Sequence, residues 1–227
     1  ILPPTDLSMS VIVDVPPHPV GTRVHARASM ESVDFDVLTE AEPLIWQGED
    51  GDSVFGLYYP PFNSKFEGTG APPLIIEVHS GPTSQTVAEY EGRTQFFATR
   101  GFGVLHVNYR GSTGYGRAYR EKLRGKWGVY DVEDAASGAK YLVEQGRADP
   151  DKLVIMGSSA GGFTVLQSLV DKPGYYKAGV CMYGVANQFM LVQDTHKFEE
   201  HYTDSLIGVL PDDAALYRER SPFFHAS

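Results

Sequence analysis

The segment Gly157-Ser158-Ser159-Ala160-Gly161-Gly162 lies between an apolar run ending at Met156 and a helical pattern beginning near Ala160. A Gly-x-Ser-x-Gly spacing at a strand-to-helix junction requires a sharp turn, with the central residue strained at its tip and small residues beside it so that neighbouring backbone can approach. Gly157 and Gly161 meet that requirement. Ser159 is therefore the candidate nucleophile. The helix start behind it would aim backbone N–H groups and the positive end of its dipole at a developing oxyanion, and the N–H of Ala160 is the first candidate donor. The competing reading of the same residues is a glycine-rich turn that binds a phosphate or simply closes tightly.

The surrounding pattern says what kind of sheet carries this turn. Short apolar runs at 74–79, 104–107, 153–156 and 178–183 read as strands buried on both faces. They alternate with helical patterns at 88–100, 131–145 and 160–170. In the 131–145 segment, Val132, Ala135, Ala136, Ala139, Leu142 and Val143 recur at helical spacing. This alternation predicts an α/β fold with a mostly parallel sheet flanked by helices. Two β-prone runs, 44–46 and 54–59, are separated by a polar stretch containing Asp50-Gly51, a hairpin signal. Residues 1–42 hold one β-like run, 11–15, followed by Pro16-Pro17-His18-Pro19, and read as an N-terminal extension or the remnant of a preceding domain. Residues 188–227 are polar and aromatic, with helices expected near 199–207 and 212–218 and no strand.

Other segments carry weaker signals. His79-Ser80-Gly81-Pro82 follows the 74–78 strand, the place from which such folds supply a second oxyanion donor, and Gly81 is the candidate. His79 precedes the serine, whereas the catalytic histidine of this fold comes last, so a loop-fixing role is assigned to it. The loop Asn108-Tyr109-Arg110-Gly111-Ser112-Thr113-Gly114-Tyr115-Gly116 lacks the Gly-Lys-Ser/Thr ending of a phosphate cradle and reads as a structural loop at the rim of the site, with Arg110 as a supporting residue. Asp131, Glu133 and Asp134 stand at a helix start, where carboxylates suit the dipole. The seven histidines show no zinc-ligand spacing, so no catalytic metal and no cofactor are expected.

Taken together, His79 to Pro82, the Asn108 to Gly116 loop, Trp127-Gly128 leading into Asp131-Val132-Glu133-Asp134, the 157–162 turn, and Ala178-Gly179-Val180 with Tyr183-Gly184 resemble the prolyl oligopeptidase family of serine peptidases, in its acylaminoacyl-peptidase and dipeptidyl-aminopeptidase-like branch. The resemblance covers residues 43–227 and implies an α/β-hydrolase peptidase domain over that range, acting on short peptides through an acyl-enzyme on Ser159. It also implies a catalytic Asp and His beyond Ser227, so that the triad is expected to be incomplete here and this piece inactive alone. Ser80 stands where the family usually has Gly, and Ala160 where many members have Tyr. A carboxylesterase needs the same serine and oxyanion hole and is the alternative enzyme class; a truncated, non-catalytic hydrolase domain is the other.

Composition narrows the partners. A net charge of −10 with scattered Lys and Arg disfavours nucleic acid. No apolar stretch approaches the roughly 18 to 20 residues that span a bilayer, so no membrane partner is expected and the cytoplasm is the default location. Cys181 sits in an apolar run and reads as a buried small hydrophobe. Apolar surface awaiting further strands would favour a homo-oligomer or association with a missing C-terminal part.

Overall fold

A computed structural model describes residues 9–12, 23–27, 35–194 and 201–226. Strands β1 (Met9–Ile12) and β2 (Arg23–Arg27) pair antiparallel in a small sheet of their own. Of the expected run at 11–15, residues 13–15 lie outside the described residues.

The main sheet has six strands: β3 (Glu42–Gln47), β4 (Ser53–Tyr59), β5 (Leu74–Val78), β6 (Gly103–Asn108), β7 (Leu153–Ser158) and β8 (Ala178–Met182). Their spatial order is β3-β4-β6-β5-β7-β8. The first two form the expected antiparallel hairpin, with Gly51 at φ 82° in its turn, and β4 joins β6 antiparallel. From β6 through β8 all pairs are parallel. Every residue of β5 and β6 is buried, as expected of mainly apolar central strands, and the polar Glu77, His106 and Asn108 are buried with them.

Helices α3 (Tyr130–Glu144) and α4 (Ala160–Asp171) cover one face, where Ala135, Ala139, Leu142, Phe163 and Val165 pack on Leu74, Ile76, Val78, Leu105 and Val107. Helix α1 (Gly92–Ala98) lies on the other, with Phe97 against the cluster of Leu57, Tyr59, Ile75, Val104 and Met156. The alternation of strand side chains between faces produces these two cores. Helix α1 starts later than residue 88 because Glu91 caps it, its carboxylate accepting the Thr94 N–H at 2.6 Å. Two short helices were not expected: α2 (Arg117–Glu121), hidden among loop glycines, and α5 (Gln188–Asp194). Helices α6 (Tyr202–Leu206) and α7 (Ala214–Glu219) fall where the sequence places helices.

Cys181 departs from expectation. It is exposed, as are Ala178, Gly179 and Val180, because β8 is an edge strand of the described sheet with β7 on one side only. The apolar run that reads as a buried strand is here only partly covered, chiefly by α4.

Trp46 locks the hairpin edge to α3. Its indole fills a slot that exists only because Gly56 and Gly138 lack side chains: a Cβ on Gly56 would lie 2.9 Å from the ring, and one on Gly138 2.8 Å. Its Nε1–H donates to Ser137 Oγ at 3.0 Å. Trp46→Ala is expected to lower unfolding free energy by about 3–5 kcal/mol, read by denaturant unfolding of the full-length protein; a loss below about 1 kcal/mol would show that the slot collapses around the smaller side chain.

Candidate active site

Strand β7 ends at Ser158 and α4 begins at Ala160, so the intervening Ser159 forms the whole turn. Its backbone sits at φ 51°, ψ −117°, a conformation L-residues avoid. What holds it there is close backbone packing. A Cβ on Gly157 would lie 2.5 Å from the Gly161 carbonyl, one on Gly161 2.1 Å from the carbonyl oxygen of Val78, and one on Gly162 2.7 Å from Gly184 Cα. Any side chain at these glycines would push the first turn of α4 out of the cleft between the ends of β5 and β8. The Ser159 N–H donates to Met182 O at 3.0 Å, tying the turn to β8. Its hydroxyl makes no hydrogen bond among the described residues, and the residue is half-buried.

Beside this turn runs the 79–86 loop leaving β5. Gly81 has φ 134°, and a Cβ there would lie 2.8 Å from Thr83 N. The N–H groups of Gly81 and Ala160 have no acceptor among the described residues, which the oxyanion-donor expectation requires. His79 sits at the base of the loop. Its Nδ1 is 2.7 Å from the Ser80 carbonyl oxygen, which can only accept, so Nδ1 carries the proton; Nε2 then accepts from the Ser112 hydroxyl at 2.7 Å. The ring stacks on Tyr109 at 4.4 Å, and Tyr109 donates its hydroxyl to Pro82 O at 2.9 Å. With both nitrogens committed, His79 fixes the loop.

The first part of the 108–116 loop is a buried strut, with Asn108, Tyr109, Arg110 and Ser112 all inaccessible, while Gly114 and Gly116 are exposed. Asn108 exchanges two hydrogen bonds with the Thr86 backbone, at 2.8 and 2.9 Å, and Thr113 N–H donates to Ser84 O. Arg110 does not face Ser159. Its guanidinium pairs with Asp134 at 2.8 Å, with Glu133 at 3.2 Å and with Asp50, and lies 3.7 Å over the Tyr130 ring. Asp134 also accepts the Arg110 N–H. Asp131 accepts from Gly128 N at 2.6 Å and from the Thr164 hydroxyl. Asp131 stands in the first turn of α3, as expected, and both carboxylates also serve as internal hydrogen-bond acceptors. Burial pushes both up to about 6, against the pull of Thr164 and Gly128 on Asp131 and of Arg110 on Asp134.

Among the described residues one group has metal-ligand proximity: Glu77, Glu91 and His106, with ligand atoms within 4.8 Å of one another. A protein cation already serves it, since Arg93 pairs with Glu77. Glu91 caps α1, and His106 Nε2 bonds Thr94 Oγ1 at 2.8 Å. Of the histidines after Ser159, His196 is outside the described residues; His201 pairs with Asp204, and His225 bonds the carbonyls of Arg218 and Glu219.

Residues 88–227 match the sequence profile of the prolyl oligopeptidase family. The chain belongs to that family. A dipeptidyl aminopeptidase BIII of Pseudoxanthomonas mexicana is 33% identical over 159 residues, covering 68% of this chain and 23% of that protein. An acylamino-acid-releasing enzyme 2 of Oryza sativa subsp. japonica is 30% identical over 167 residues, covering 68% and 21%. A puromycin-hydrolyzing peptidase of Mycobacterium tuberculosis superimposes with a TM-score of 0.94 at 37% identity, over 98% of this chain and 34% of that one. The chain thus spans about a fifth to a third of the length of these relatives. The prolyl oligopeptidase family is an α/β-hydrolase family, in agreement with the mixed, mostly parallel sheet. No helix among the described residues is long and apolar enough to cross a membrane.

The residues that sequence reasoning does not single out are Ser112, whose hydroxyl ties the 108–116 loop to His79, and Ser80 and Ser158, whose side chains tie the 79–86 loop to the end of β7; the sequence signal for Ser112 is its place in the 108–116 motif. The His79 ring has a pKa lowered from 6.5 to about 4, chiefly by burial. A value depressed by folding means the unfolded chain binds the proton more readily, so His79 contributes stability above about pH 6.5 that is lost as pH falls toward about 4. Nitrogen NMR of the labelled protein is expected to show His79 neutral and Nδ1-protonated at pH 6; a midpoint near 6.5 would contradict this assignment.

Proposed function

We propose that the protein containing this chain is a serine-type peptidase that removes acylated or free amino acids, or dipeptides, from the amino ends of short peptides. The observation that carries the reading is the strained Ser159 at the start of α4, whose hydroxyl, like the N–H groups of Gly81 and Ala160, has no hydrogen-bond partner among the described residues. The names of the relatives supply the substrate class.

In this reading Ser159 Oγ attacks the scissile carbonyl carbon and its proton passes to a base, which returns it to the leaving amine. The carbonyl oxygen, now anionic, accepts from Gly81 and Ala160 N–H. Collapse expels the amine and leaves an acyl ester on Ser159, which water then hydrolyses. The base is a residue other than His79, whose nitrogens are both occupied. Arg110 acts behind the site by holding the strut that braces the 79–86 loop.

The full-length protein is expected to react with a fluorophosphonate probe and to turn over aminoacyl-nitroanilides. Ser159→Ala is expected to abolish both, a loss of at least about 10⁴-fold. Persistent labelling in that variant would overturn the nucleophile assignment, and turnover of nitrophenyl esters alone would make the protein an esterase.

A further inference from the structure

Ser80 lies between the loop-fixing His79 and the donor Gly81, and its side chain is the direct link between the two halves of the site. Its hydroxyl donates to the Ser158 carbonyl oxygen at 2.8 Å and lies 2.9 Å from Ser158 Oγ. Because the Ser80 proton is spent on the carbonyl, the second contact is a donation from Ser158 Oγ to Ser80 Oγ.

We propose that Ser80 is a positioning residue that sets the distance between the oxyanion donor and the nucleophile. The inference rests on Ser159 and Gly81 having the roles assigned above. Two peptide units are involved. The one entering the nucleophile, Ser158–Ser159, is held at both ends: its carbonyl accepts from Ser80 and its N–H donates to Met182 O at 3.0 Å. The one carrying the oxyanion donor, Ser80–Gly81, is held by His79 Nδ1–H on the Ser80 carbonyl at 2.7 Å. In a trans peptide C=O and N–H point in opposite directions, so fixing that oxygen also fixes where Gly81 N–H points. The Ser80 hydroxyl couples these units across 78 residues of sequence. A donor must reach about 2.7–3.1 Å from the oxyanion, and a site loose by about an ångström loses much of its rate. A glycine at position 80 would leave the loop without this tie.

The coupling serves the transition state, where Gly81 N–H meets the oxyanion, more than substrate binding. In the full-length protein, Ser80→Ala is expected to lower kcat about tenfold, the value of one well-placed hydrogen bond, with KM within about twofold. The affinity of a peptide boronic acid, which mimics the tetrahedral state, is expected to fall by the same factor as kcat/KM. Ser80→Thr and Ser80→Val have the same shape and differ in the hydroxyl, so Thr is expected to exceed Val in kcat by about tenfold. Equal kcat for Thr and Val, or a boronic acid affinity unchanged in Ser80→Ala, would overturn the proposal. Wild-type protein that takes up no fluorophosphonate would instead remove the nucleophile reading on which it rests.

Discussion

A single hydrogen at Gly161 is what allows the strained turn at Ser159 to exist. A methyl group there would meet the Val78 carbonyl oxygen at 2.1 Å, well inside any real contact. Because that hydrogen is all the glycine presents, the first turn of α4 descends between β5 and β8, and Ser159 is forced into its strained conformation at φ 51°. Strain of this kind costs on the order of 1–3 kcal/mol and persists only where surrounding structure over-determines it. Gly157 against Gly161, Gly162 against Gly184, and the Ser159 N–H on Met182 O supply that over-determination. The half-buried position of Ser159 at the head of α4 follows from this packing.

The second half of the site is built differently, from buried polar groups. Loop 79–86 has little apolar surface, so its shape comes from hydrogen bonds to Asn108, Tyr109, Ser112 and Thr113. That strut is in turn fixed by Arg110, whose guanidinium is fully buried against Asp134 and reaches Glu133 and Asp50. A buried charge is tolerated only when paired and fully hydrogen-bonded. Its stability value is therefore modest, and what it contributes is a single allowed geometry. Ser80, bonded to Ser158, joins this polar half to the glycine-packed half.

How much of this is legible in the sequence depends on range. The β5, β6 and β7 strands announce themselves because strands buried on both faces are mostly apolar, with Glu77 and His106 as buried polar exceptions, and the turn at Ser159 because its glycines are close in the chain. The proposed donors Gly81 and Ala160 are read from their places beside those strands. The partners of Arg110 do not follow, since Asp50 is 60 residues away and nothing local marks it. Nor does the contact between Ser80 and Ser158, two ordinary serines until the fold brings them together. Cys181 misled for a related reason: apolar residues in a strand report that a face is suited to burial, and say nothing of whether a neighbour covers it.

The central claim is that Ser159 and the N–H groups of Gly81 and Ala160 form one reaction centre. The direct test is a crystal structure of the full-length protein after reaction with a fluorophosphonate. The account predicts phosphorus bonded to Ser159 Oγ, with the phosphoryl oxygen about 2.7–3.1 Å from both backbone nitrogens. An adduct on another residue, or a phosphoryl oxygen turned to solvent away from Gly81 and Ala160, would contradict it.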